Sequence, residues 1–254
     1  MYIWISIRTQ NYYMKKHLFF FISILAISCQ VTETIHLKED GSGTIQTERH
    51  RDEHSYMQLA GENYSKEEVF KDTTYVFEDI IAKYSETFVK LPGAEQAVFQ
   101  KFANVNVHIR NSSYEKEFRT IVSQSFKKIE EVPDLYKAEE YVDDLKHNYA
   151  LSAEEHYYIV SYTFEGSLFK RMVKITDPVE LKKQQDKIEE LKTRFSNHKL
   201  VQAYVLDYHF PRKIKSVSNS NAKISDDRKS LELQFNITDC LLNPESTNLE
   251  VILE

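Results

Sequence analysis

Apolar positions recur along the chain with two periods, and the switches between them mark out the elements. Val31, Glu33, Ile35 and Leu37 share one parity of an alternating run, and Thr44 to Glu48 resumes the alternation beyond Lys38-Glu39-Asp40-Gly41-Ser42-Gly43. An Asp-Gly pair between two such runs is the strongest short signal for a β-hairpin, because glycine supplies the positive φ of a tight turn. Ser65-Lys66-Glu67-Glu68 has the form of a capping box. It predicts a long helix with Val69, Thr73, Val76, Phe77, Ile80, Tyr84 and Phe88 on one stripe, stopped by Leu91-Pro92-Gly93. Residues 94–102 read as a short second helix. Val105, Val107 and Ile109 alternate as a strand, and so do Phe118, Thr120 and Val122. Pro133 suits the first turn of a helix whose stripe is Leu135, Ala138, Val142 and Leu145.

In the second half, Tyr157 to Phe164 and Leu168 to Ile175 are β-like runs split by Glu165-Gly166-Ser167, a further hairpin. Asp177-Pro178-Val179-Glu180 combines a cap, a proline at the first turn and an early acid. The helix it opens carries Leu181, Ile188, Leu191 and Phe195 on one face and charged residues elsewhere. Val201 to Phe210, Ala222 to Ile224 and Leu231 to Phe235 read as strands, with 211–217 and 218–221 as turn or edge. Strands and helices come in blocks rather than in strict βαβ alternation. The fold class is therefore α+β, a mainly antiparallel sheet with helices packed on one face. No linker-like composition interrupts residues 29–254, which read as one domain; two lobes joined near 150–156 are the alternative.

Charge is unevenly placed. Of 254 residues, 33 are basic and 39 acidic, but Arg8, Lys15 and Lys16 stand in an acid-free stretch over 1–28, so residues 29–254 carry about nine net negative charges. Such a body is unsuited to nucleic acid, where affinity comes from neutralising phosphates. Two cysteines exclude a disulfide framework and any four-cysteine metal site.

Lys15-Lys16 is followed by Leu18-Phe19-Phe20-Phe21-Ile22-Ser23-Ile24-Leu25-Ala26-Ile27-Ser28 and then Cys29. A basic stretch plus roughly eleven mostly apolar residues is signal-peptide anatomy, too short to span a bilayer. Met14 reads as the natural start, an expectation that would put residues 1–13, with the sole tryptophan Trp4, outside the translated chain. Leu25-Ala26-Ile27-Ser28-Cys29 resembles a bacterial lipobox, and the chain is similar to uncharacterised lipoproteins of Bacteroidetes type. The resemblance implies cleavage before Cys29 and acylation of that residue, with Gln30 compatible with the outer membrane and Val31-Thr32-Glu33 with a periplasm-facing body. The strand, Asp-Gly-Ser-Gly turn and second strand after the lipobox also resemble the opening of the mycobacterial LppM-like type. So does the tail from Tyr208-His209-Phe210-Pro211 to Leu231-Glu232-Leu233. That resemblance carries no catalytic residues and no cofactor.

Among motifs that bear chemistry, His50-Arg51-Asp52-Glu53-His54 has the His-x-x-Glu-His spacing of inverted zinc peptidases. On a helix, His50 and His54 would share a face toward one zinc, with Glu53 as general base. The polar setting and the absence of an identifiable distal ligand speak against it. Residues 38–49 place Lys38 and Arg49 where a calcium loop needs carboxylates. No phosphate-binding glycine loop and no Gly-x-Ser-x-Gly elbow occurs. Asp72-Thr73-Thr74 resembles a Bacteroidetes O-glycosylation signal, set aside because Thr73 falls on the apolar stripe of the expected helix. Cys240 reads as a small buried hydrophobe. The expectation is a non-enzymatic binding or structural lipoprotein, held to the membrane by lipid on Cys29 and meeting an envelope protein or lipid. A zinc-dependent envelope hydrolase is the alternative, and a concave apolar cavity would assign lipid handling.

Overall fold

The computed structural model describes residues 29–147, 157–198 and 200–254. The segment over 1–28, Trp4 within it, and the lobe boundary near 150–156 lie outside the described residues. The chain forms β1 (Cys29–Leu37), β2 (Gly43–Arg51), α1 (Glu53–Ala60), β3 (Phe70–Val76), α2 (Phe77–Lys83), α3 (Ser85–Phe88), α4 (Gly93–Gln100), β4 (Asn106–Ser112) and β5 (Glu117–Phe126). It continues through α5 (Ala138–His147), β6 (Tyr158–Glu165), β7 (Leu168–Ile175), α6 (Pro178–Arg194), β8 (Ala203–His209) and β9 (Ile214–Val217). It ends with β10 (Lys223–Ile224), β11 (Ser230–Asn236), α7 (Ile237–Leu242) and β12 (Leu249–Leu253). The fold class is α+β, with the strands divided over two sheets. The larger has the order β10-β11-β8-β1-β2-β5-β4-β3 and the smaller β6-β7-β12-β9. All pairings are antiparallel except β1 with β8.

The first hairpin forms as its residues dictate. Gly41 takes φ +79° and the Asp40 carboxylate accepts hydrogen bonds from the Ser42 backbone N–H at 3.0 Å and its hydroxyl at 2.7 Å. The inward parity of β1 places Ile35 and Leu37 in a core that runs between the sheets through Ile45, Leu206, Phe169, Leu231 and Ile214. An aromatic group of Phe77, Phe99, Phe102 and Tyr141 extends that core beneath α2, α4 and α5.

Several expectations are corrected. The long helix from Ser65 does not form. Residues 61–66 make a 3₁₀ turn, 70–76 pair with β4 as an edge strand, and helix begins only at Phe77. Ser65 lies inside the 3₁₀ turn and its hydroxyl donates to the Glu62 carbonyl, so it does not cap a following helix. Thr73 is consequently exposed on β3 rather than on an apolar stripe, which removes the ground for setting it aside. Residues 214–217, read as turn or edge, form strand β9 at the edge of the smaller sheet. Asp177 caps α6 as expected, accepting from Val179 and Glu180 N–H at 2.9 Å each. Yet α6 buries no side chain completely, and its Leu181, Ile188, Leu191 and Phe195 are half-buried. Among the described residues no helix is long and apolar enough to cross a membrane.

Candidate functional site: a cavity between the sheets

The inward parity of β1 carries one charge, Glu33, between Val31 and Ile35. On β7 the buried positions are Phe169, Arg171 and Val173. The two sheets thus present a carboxylate and a guanidinium to each other across the core. Arg171 Nε donates to Glu33 Oε1 at 3.1 Å and Nη2 to Oε2 at 3.2 Å. Tyr162 at 2.8 Å and Tyr208 at 2.5 Å also donate to Oε1; Tyr136 at 2.7 Å and Tyr204 at 2.9 Å donate to Oε2. Arg171 Nη1 is satisfied by the Thr247 hydroxyl and carbonyl at 2.9 and 3.2 Å. Glu33 and Arg171 are 0% and 2% exposed, so every one of these bonds substitutes for lost water.

Charge is set by this geometry. Burial alone raises the carboxyl pKa of Glu33, but the Arg171 charge and the donated hydrogen bonds outweigh it and hold Glu33 below the ordinary value. Burial works against the Arg171 charge, and the Glu33 carboxylate overcomes it, so Arg171 stays protonated. Burial and then the Glu33 charge push the hydroxyls of Tyr136 and Tyr208 well above the usual tyrosine range, so they remain donors.

Tyr136, Arg171, Tyr204 and Thr247 of this network form the floor of a cavity of about 510 Å³, with Glu33 beneath them. Its wall is apolar, built from Val31, Phe118, Val160, Val173, Ile237 and Leu241. Its rim carries Arg49, Arg51 and Arg119 together with Glu139, Glu140 and Asp143, three charges of each sign. The rim arginines are paired: Arg49 with Glu139, and Arg119 with Glu117 at 3.5 Å and Glu48 at 3.8 Å. Arg51 is fixed most firmly. It makes a bidentate pair with Glu67 at 2.9 Å on both arms and a bond to Glu53 at 2.6 Å. The rings of Tyr56 and Phe118 lie 3.7 and 3.2 Å from its guanidinium carbon. Tyr158 also lines the cavity, and burial pushes its hydroxyl upward, so it stays a donor.

The residues singled out by sequence are dispersed. Cys29 opens β1 with its backbone in register with Arg51. His50 is exposed on β2, while Glu53 and His54 open α1, so the three do not lie on one helix face. The helix cannot include His50, because Asp52 is its N-cap, accepting from Ser55 N–H at 2.7 Å. Glu53 is engaged by Arg51 and by the Tyr64 hydroxyl at 3.0 Å. Among the described residues no three or more His, Cys, Asp and Glu side chains are grouped to hold a metal. Cys240 is a free thiol at the cavity wall, and burial pushes it up to about 12. Sequence reasoning missed Glu33, Arg171 and the tyrosines as a unit. Its signal was an acid on the inward parity of β1 and an arginine on that of β7.

No protein-family model matches the chain, and no curated protein matches it. Among solved structures, the chain is similar to the NMR structure of the folded domain of LppM from Mycobacterium tuberculosis, at 8% identity over 89% of this chain and 90% of that one, with a TM-score of 0.38.

Proposed function

We propose that this chain is a lipid-anchored envelope module that holds an amphiphile in the cavity between its two sheets. The observation that carries the reading is the apolar-walled cavity of about 510 Å³ over a fully satisfied polar floor. Pockets that accommodate apolar ligands are concave, mostly apolar and supplied with a few placed polar groups, as here. The chemistry narrows the ligand. Glu33 and Arg171 neutralise each other, so the interior offers no spare counter-charge to a bare carboxylate or ammonium. The Tyr158 hydroxyl in the cavity lining, kept protonated by burial, suits an uncharged oxygen acceptor such as an ester carbonyl. The balanced rim suits a zwitterionic or neutral head group. The anchor is acylated Cys29, supported by the order Lys15-Lys16, apolar run, Ser28, Cys29. Several acyl chains hold an acidic body that has no electrostatic route to the membrane. The outer membrane, with the body facing the periplasm, is the location we assign.

The test uses the unlipidated Cys29→Ser protein and a fluorescent phosphatidylcholine carrying the fluorophore on its acyl chain. Saturable one-to-one binding is expected, weakened about tenfold by Val173→Phe, which fills the cavity, and about fivefold by Tyr158→Phe, which removes one hydrogen bond. Absence of saturable binding, or binding indifferent to both substitutions, contradicts the reading.

A further inference from the structure

The registers of the larger sheet place the cavity mouth, the anchor and most of one apolar fringe at the same end. Cys29 pairs with Arg51, Val31 with Arg49, and His50 with Arg119, so the first residues of β1, the last of β2 and the first of β5 lie together. Val31, Arg49, Arg51 and Arg119 are all cavity residues. β1 starts at Cys29 itself, so acylation there leaves no tether between lipid and fold. At ~3.3 Å per residue, Glu33, bonded to Arg171 and Tyr204 of the cavity floor, lies only ~13 Å further along the strand.

The same end exposes large apolar side chains. Phe70 opens β3 opposite Ser112 at the end of β4 and is 70% exposed; Tyr114, in the turn from β4 to β5, is 92% exposed. Met57 on α1 and Val201, just before β8, are 44% and 39% exposed, and Val201 N–H is tied to the Ser55 hydroxyl of α1 at 2.8 Å. Lys116 in the same turn lies over the Tyr64 ring at 4.4 Å. Aromatic residues beside lysines are the composition of a membrane–water interface, where rings sit at head-group depth. Exposed apolar groups clustered at one rim mark an interaction face.

Resting on the reading that Cys29 is acylated and the cavity holds an amphiphile, we infer that this sheet end is the membrane-docking face and that the cavity opens into the bilayer surface. The partner is a zwitterionic phospholipid bilayer, not a protein. Phe70, Tyr114, Met57 and Val201 enter the head-group layer, the anchor presses the rim against it, and an acyl chain passes between bilayer and cavity without crossing water. The gain is kinetic: no methylene of the acyl chain has to be brought into water.

Depth-resolved fluorescence tests this. Past Cys29 the sequence has no tryptophan, so a single introduced indole reports its own site. Lipidated mature protein is placed on vesicles of phosphatidylcholine brominated along the acyl chains. Tyr114→Trp should be strongly quenched, and Ile224→Trp, on β10 toward the hairpin end of the sheet, should not. Transfer of the fluorescent phosphatidylcholine from donor vesicles should fall about tenfold in Phe70→Ser/Tyr114→Ser, while the Cys29→Ser body with those two changes keeps its solution affinity. Equal quenching at both sites, an unquenched indole at 114, or wild-type transfer by the double variant overturns the docking face. Loss of probe binding in solution by every form would instead overturn the cavity reading.

Discussion

Glu33→Gln removes the one negative charge from the buried network beneath the cavity while keeping the side-chain shape. The carboxylate accepts six hydrogen bonds, two from Arg171 and one each from Tyr136, Tyr162, Tyr204 and Tyr208. An amide offers one acceptor oxygen and turns an N–H₂ toward donors. Arg171 is then a buried cation without a counter-charge, a defect that costs ~3–5 kcal/mol. That is a large part of the ~5–15 kcal/mol available to a folded chain. The double variant Glu33→Gln/Arg171→Met removes both charges while keeping an acceptor oxygen for the tyrosines, and it should be less damaged than Glu33→Gln because no uncompensated buried charge remains. The assay is urea unfolding followed by far-ultraviolet circular dichroism, at fixed m-value, with the double-mutant cycle isolating the coupling. The pH dependence has a fixed sign. Glu33 is held below its ordinary value of 4.5, so its stabilisation is complete above that pH and declines as pH falls through the folded-state value. The deficit of Glu33→Gln should therefore be full at pH 7 and shrink below 4.5. A Glu33→Gln protein within ~1 kcal/mol of wild type at neutral pH, or a double variant as damaged as the single one, refutes the reasoning.

Asp177→Ala should cost ~1 kcal/mol through loss of the α6 cap, whereas half-buried Leu191→Ala should cost less than the ~2–5 kcal/mol of a core leucine; urea melts read both. Gly43→Ala should cost ~1–3 kcal/mol or more, because its Cβ would collide with the His36 carbonyl oxygen and stand 2.7 Å from Phe126 Cζ. Cys240, its thiol pushed up to about 12 by burial, should alkylate slowly in iodoacetamide at mild alkaline pH and rapidly in urea, and bound phosphatidylcholine should slow it further; mass spectrometry of the 240 peptide checks this.

Local chemistry made much of the architecture legible. Asp40-Gly41 between alternating runs specified the first hairpin, and Asp177-Pro178 specified the start of α6. Where non-local pairing decides, the pattern misled. Residues 70–76 show helical spacing of apolar positions, yet β3 lies at the sheet edge with most of its side chains exposed, so no burial alternation betrays it. Its strand form comes from pairing with β4, which lies beyond three intervening helices. The buried network was not read from the sequence. Glu33 was present as an acid on the parity of Val31, Ile35 and Leu37, but Arg171 lies 138 residues away in another sheet, and no local rule joins them. His50, Glu53 and His54 show the converse: spacing alone implied a shared face, and the Asp52 cap divides them between strand and helix.

The cavity between the sheets is proposed as a lipid site, and its contents can be weighed. Unlipidated Cys29→Ser protein, purified from its native envelope without detergent exchange, would be extracted with organic solvent and its lipids quantified by mass spectrometry, beside Val31→Phe, which projects a ring from the wall into the cavity. One equivalent of a zwitterionic or neutral glycerolipid is expected from the former and about a tenth of that from the latter. Equal amounts from both proteins, or no lipid from either, would contradict the claim.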